Sequence, residues 1–160
     1  MKTVFSPCRK YRYTLWREWD SLIGGKYCMF VGLNPSTADE VTDDPTIRRC
    51  IGFAKRWGYG AVCMTNLFAF RSTDPMTMLA CADPVGPDND KWLVEIAKGA
   101  GIVVAAWGTH GDHLGRGKIV RMGFMQHGIN LQCLGHTKDG YPRHPLYLRG
   151  DCEPCTYAAC

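Results

Sequence analysis

The stretch Val31-Gly32-Leu33-Asn34-Pro35-Ser36-Thr37-Ala38-Asp39 decides how the chain is read. An apolar run over residues 27–33 drives into it and stops at an Asn-Pro pair, the pattern of a buried strand ending in a loop. Proline lacks the N–H that a continuing ladder needs, and its ring restricts Asn34 to an extended backbone. The asparagine side chain therefore stands at the carboxyl end of the strand on a stiff support. In open parallel α/β sheets, ligands bind at that end.

Three further apolar runs discharge into polar residues in the same way. They cover residues 61–67, with Asn66 near the end; 102–107, followed by Gly108-Thr109-His110; and 129–134, followed by the loop carrying His136 and His144. Segments of helical character separate them. Asp43 or Asp44 can cap a helix with Pro45 at its first position, and Ile47, Cys50, Ile51, Ala54 and Trp57 follow at helical spacing until Gly58 and Gly60. Further helices are predicted over residues 88–98 and 113–127. A long connection through Asp74-Pro75 and Asp83-Pro84 follows the second run, a length that marks a functional or poorly ordered loop.

Alternating strands and helices imply parallel strands joined by right-handed crossovers. The expected fold is a three-layer α/β/α domain with a central four-stranded, mainly parallel sheet of order 2-1-3-4, all four polar ends on one edge. Residues 9–19 alternate large apolar with basic or polar side chains, as an edge strand or hairpin with one wet face does, and Gly24-Gly25 turns the chain into the first buried strand. One domain spans residues 1–160, with 1–26 as an amino-terminal hairpin or edge segment and 152–160 as an irregular tail.

Hydrophobic residues at 46% and charged residues at 21% describe a globular chain, not a disordered one. No apolar run approaches the roughly 18–20 residues that span a bilayer, and the opening MKTVFSPCRKYRY lacks a signal-peptide core, so a cytoplasmic protein without a membrane partner is expected. A net charge of +4 permits contact with phosphates without the compact basic patches of dedicated nucleic-acid binders. Nine cysteines, an odd count with no secretion signal, predict reduced thiols. Cys28, Cys63 and Cys133 fall inside apolar runs, where cysteine acts as a small hydrophobe.

With the motifs in order, the chain resembles the uracil-DNA glycosylase superfamily. Gly32-Leu33-Asn34-Pro35-Ser36 is similar to the first catalytic motif in the asparagine form of the mismatch-specific branch. Met64-Thr65-Asn66-Leu67-Phe68-Ala69-Phe70-Arg71 resembles the strand whose asparagine reads the base edge. Ala106-Trp107-Gly108-Thr109-His110 is similar to the Trp-Gly-Ser-His segment, and His144-Pro145-Leu146-Tyr147-Leu148 to the histidine-proline loop. The whole pattern also resembles a family of short bacterial and phage proteins without an assigned activity. The resemblance implies Asn34 and His144 as catalytic residues, Asn66 as the base reader, and Leu146 or Leu148 as the wedge of the loop. It departs from the active enzymes in lacking an aromatic residue shortly after the first motif, where Thr37 and Ala38 stand.

Residue chemistry fits that implication. Breaking a base–sugar bond builds positive charge on the sugar and negative charge on the base, so a site needs a water, an electrostatic partner for the leaving base and a way to hold the base unstacked. Asn34 can orient a water but cannot take its proton, His144 can donate to a departing base oxygen, and Asn66 offers a paired acceptor and donor. Each also has a plain structural role to play: a turn for Asn34, a satisfied buried amide for Asn66, an exposed loop position for His144. His110 lies on the same edge as a further ligand-binding candidate. Phe68, Phe70, Trp107 and Tyr147 are aromatic candidates for stacking that equally suit the core. Arg48, Arg49, Arg71 and Arg143, with Lys138 and Arg149, could hold phosphates or simply be solvated.

Asp39, Asp43 and Asp44 could cap a helix, supply a general base or bind Mg²⁺. Cys152-x-x-Cys155 with Cys160 lacks the amino-terminal cysteine pair of the superfamily's iron–sulfur members, Cys8 standing alone, and His110-x-x-His113 has no second ligand pair. No metal and no cofactor is assigned. The expected function is nucleobase or nucleotide recognition at the carboxyl edge, as a glycosylase-like hydrolase of an N-glycosidic bond acting on nucleic acid. One alternative is a non-catalytic protein that sequesters a free nucleotide or a cyclic nucleotide signal, as a phage anti-defence sponge would. Another is a metal-dependent nucleotide or phosphodiester hydrolase using the three aspartates.

Overall fold

The computed structural model describes residues 2–20, 25–36 and 42–157. Thr37, Ala38, Asp39, Gly24 and Cys160 lie outside them. The elements run β1 (Val4–Phe5), β2 (Arg12–Glu18), β3 (Cys28–Gly32), α1 (Pro45–Arg56), β4 (Ala61–Asn66), α2 (Pro75–Leu79), α3 (Asn89–Gly99), β5 (Ile102–Ala105), α4 (Arg116–Gln126), β6 (Leu131–Cys133) and β7 (Cys155–Thr156). Short 3-10 helices at Thr109–Gly115 and Pro145–Tyr147 complete the set.

The strands form one sheet in the order β1-β2-β4-β3-β5-β6-β7. Its inner strands β4, β3, β5 and β6 are parallel, and β1, β2 and β7 add antiparallel pairings at the two sides. The sheet is thus seven-stranded and mixed, not four-stranded, because the segments read as an edge hairpin and an irregular tail both join the ladder.

Period two along each inner strand sorts side chains into two layers. Met29 and Val31, with Cys63, Val103 and Ala105, pack beneath Leu93 and Ile96 of α3 and Val120 and Phe124 of α4. Cys28 and Phe30, with Val62, Met64 and Val104, pack against Ile47, Cys50, Phe53 and Ala54 of α1. Helix α1 starts where Asp44 Oδ1 accepts the Ile47 N–H at 2.8 Å and Pro45 fills the first turn, and it stops at Trp57 before Gly58, whose φ is +79°.

The alternation over residues 9–19 does not produce a wet face. Arg12, Tyr13, Thr14 and Leu15 are all buried, because β2 lies between β1 and β4 rather than at an edge. The helix predicted over 113–127 starts later, at Arg116; a 3-10 helix precedes it, entered through Gly108 with φ +70°. Among the described residues no helix is long and apolar enough to cross a membrane.

Candidate functional site

Parallel pairing brings the carboxyl ends of the inner strands to one edge. Gly32 and Asn66, the last residues of β3 and β4, are register partners, and Val31 pairs with Ala105 at the end of β5. A cavity of about 650 Å³ opens there, walled by the loops that follow β3, β4, β5 and β6. Asn34, Asn66, Trp107, His110, Arg143, His144 and Tyr147 all line it.

Asn34 is anchored through its amide nitrogen, which donates to the carbonyls of Ser72 at 2.8 Å and Pro35 at 3.2 Å. Both partners can only accept, so chemistry fixes the amide orientation and leaves Oδ1 as the acceptor offered to a ligand. Asn66 is 6% exposed, yet its carboxamide makes no hydrogen bond among the described residues. Its main chain is well held: Asn89 Nδ2 donates to the Asn66 and Leu67 carbonyls, and Arg116 Nε donates to the latter at 3.0 Å. Both supporting side chains are buried, and Arg116 pairs with Asp90. Gly32 leaves it room, since a Cβ there would stand 2.7 Å from Asn66 Oδ1 and push the carboxamide aside.

His144 caps the 3-10 helix Pro145–Tyr147, its Nδ1 accepting the Leu146 N–H at 3.4 Å. An accepting Nδ1 puts the ring proton on Nε2, which makes the neutral imidazole a donor. Burial lowers the His144 pKa from its ordinary value, with Asp44 pulling the other way. Asp44 is the single carboxylate among the described lining residues, and both of its oxygens already accept, from Ile47 N–H and from Ser36 Oγ at 3.1 Å. Asp43 is turned to Arg17 at 2.7 Å.

Arg12, not singled out in the sequence, lies in the wall with 4% exposure. Burial lowers its pKa to about 10, helped by Arg71 and Arg17 and opposed by Asp44, so it remains a cation at neutral pH. The one sequence signal was an arginine inside a strand pattern, which an edge strand would have left in water. Ser72 was likewise missed; its carbonyl holds Asn34.

Other candidates are placed elsewhere. Phe68 is fully buried in the core, 5.6 Å from the His113 ring, and Phe70 packs on Tyr11 at 6.1 Å. Trp107 touches the cavity but is 3% exposed, wedged against Gly111 and at right angles to Tyr157. Tyr147, 81% exposed and 5.7 Å from His144, is the aromatic ring at the mouth. Of the four arginines read as phosphate ligands, only Arg143 reaches the cavity wall. Arg48 donates to the Asp43 carbonyl, Arg49 to the Leu148 carbonyl, and Arg71 to the Arg9 carbonyl at 3.1 Å. Arg149 pairs with Asp151 at 3.0 Å. Leu148 is buried against α1, whereas Leu146 is exposed.

A model of the family described as "Protein of unknown function (DUF1643)" matches residues 12–146, and the chain belongs to that family. No curated protein and no solved structure matches it.

Proposed function

We propose that this DUF1643 chain recognises a nucleobase, with its sugar and phosphate, in the cavity at the carboxyl edge of the sheet, and acts as a glycosylase-like hydrolase of the N-glycosidic bond. The observation that carries this reading is Asn66: a carboxamide at the wall of a cavity of about 650 Å³ that makes no hydrogen bond to a described residue and so is left to a ligand. Its amide atoms open onto that cavity, where water meets them in the free protein and a ligand with its own donor and acceptor pair can take the water's place. A base edge is such a ligand. The order of the motifs between Gly32 and Leu148, which resembles that of the uracil-DNA glycosylase superfamily, supports the same reading.

In this reading the base lies against Asn66, Asn34 Oδ1 orients the attacking water, and His144 Nε2–H donates to the base oxygen that gains negative charge as the bond breaks. Arg12 and Arg143 face the phosphate, and Tyr147 covers the mouth. Among the described residues the attacking water has no strong base, because Asn34 is an amide and Asp44 is occupied as a cap. Turnover is therefore slow or restricted to activated leaving groups.

That same weakness favours a second reading, capture of a free nucleotide or cyclic nucleotide signal, for which a buried cation and no general base suffice. Incubation with single- and double-stranded oligonucleotides bearing uracil, mismatched or modified bases separates the two. The hydrolase leaves abasic sites, and Asn34→Ala slows their formation by about 10²–10³ while sparing much of the binding. A capture protein leaves none, and releases the nucleotide intact on denaturation.

A further inference from the structure

On the side of the sheet where β6 meets β7, three metal-ligating side chains converge that no part of the cavity uses. Cys133 closes β6, and Cys155 opens β7 as its register partner. Their sulfurs lie 3.7 Å apart. His136 follows Cys133 after Gly135, whose φ of +106° turns the chain, and its Nε2 stands 3.6 Å from Cys133 Sγ. All three ligand atoms fall within 4.8 Å of one another.

We propose that Cys133, His136 and Cys155 form a three-ligand zinc site that fastens strand β7 and the loop bearing His144 to the sheet. A tetrahedral zinc ion, with bonds of about 2.3 Å to sulfur and about 2.0–2.1 Å to nitrogen, holds two sulfurs roughly 3.8 Å apart and a sulfur and a nitrogen roughly 3.6 Å apart. The observed separations match both. A disulfide needs sulfurs about 2.0 Å apart, and neither cysteine is bridged. Two thiolates and an imidazole are a donor set that selects zinc over hard cations such as Mg²⁺ or Ca²⁺. His136 and Cys155 are exposed, so water can complete the four ligands, and binding displaces the thiol protons.

The surroundings explain why a staple is useful. Strand β7 is two exposed residues long, which gives it little burial of its own. The His136 ring is held by stacking on Tyr157 at 5.5 Å and 17°. His136 opens a small hairpin closed by a bridge to Pro142 and by the Thr137 N–H donating to the Tyr141 carbonyl at 2.8 Å. That hairpin leads directly into Arg143 and His144, and Thr137 itself lines the cavity. The sequence obscures the site, because Cys155 pairs by spacing with Cys152 whereas its partner across the sheet is Cys133.

The test is independent of what the cavity binds. The full chain, expressed with added zinc and purified without chelator or histidine tag, is analysed for metal content, and the metal-free protein is titrated with Co²⁺. About one zinc per chain is expected, with a thiolate-to-cobalt charge-transfer band, and Cys155→Ser and His136→Ala should each weaken metal binding at least about tenfold. Both positions are exposed, so the variants fold, which near-ultraviolet circular dichroism checks; Cys8→Ser retains the metal. Zinc below about a tenth of an equivalent with no charge-transfer band, a Cys133–Cys155 disulfide in the isolated protein, or full metal retention by Cys155→Ser would each overturn the site.

Discussion

Asn66 and His144 are the two cavity residues whose side chains carry the proposed recognition. Because the Asn66 carboxamide faces the cavity and makes no hydrogen bond to a described residue, Asn66→Ala is expected to leave the melting temperature nearly unchanged, where truncating a satisfied buried amide would lower it. Thermal unfolding of the two proteins side by side reads this directly. For His144, burial holds the folded-state pKa below the ordinary 6.5, so the unfolded chain takes up the proton first as pH falls. The stability this imidazole contributes is present above about 6.5 and is lost as pH drops through the folded value. Protonation also places a hydrogen on Nδ1, where the Leu146 N–H now donates, so ligand binding should weaken over the same acid range and His144→Gln should flatten that dependence. Asn34, Asn66 and His144 were legible in the sequence because each closes or follows an apolar run. Arg12 was not, since its burial depends on which strand lies beside β2.

Among the elements, the pairing of β3 with β4 is what forms the site. Register sets Gly32 opposite Asn66, and the absent side chain at one makes room for the carboxamide of the other. Gly32→Ala should displace that carboxamide and lower ligand affinity about as far as Asn66→Ala does, while the double variant should be no worse than either alone. A double-mutant cycle on affinity checks it; additive losses would mean that the two act separately. Strands β3, β4, β5 and β6 were legible as apolar runs ending in polar residues, and their order in the sheet follows from simple crossovers. Strands β1 and β7 were not, because two residues carry no periodicity. The wet face expected of residues 9–19 failed for a related reason: alternation reports chemistry along a strand and says nothing of neighbours added on either side.

Across the whole molecule, charge is modest and local placement does the selecting. The net charge is only +4, and Arg48, Arg49 and Arg71 bind main-chain carbonyls instead of facing the cavity. Arg12 and Arg143 put positive charge at the wall, which fits one nucleotide better than a long phosphate track. All eight cysteines among the described residues are unbridged. The central claim, that this edge of the sheet holds a nucleobase through Asn66, is tested most directly by calorimetric titration of nucleosides, nucleotides, cyclic dinucleotides and base-modified oligonucleotides into the wild-type chain and Asn66→Ala. The account predicts saturable binding of at least one of these, weakened about 10–100-fold in the equally stable variant; no binding across the series, or affinity unchanged in Asn66→Ala, would contradict it.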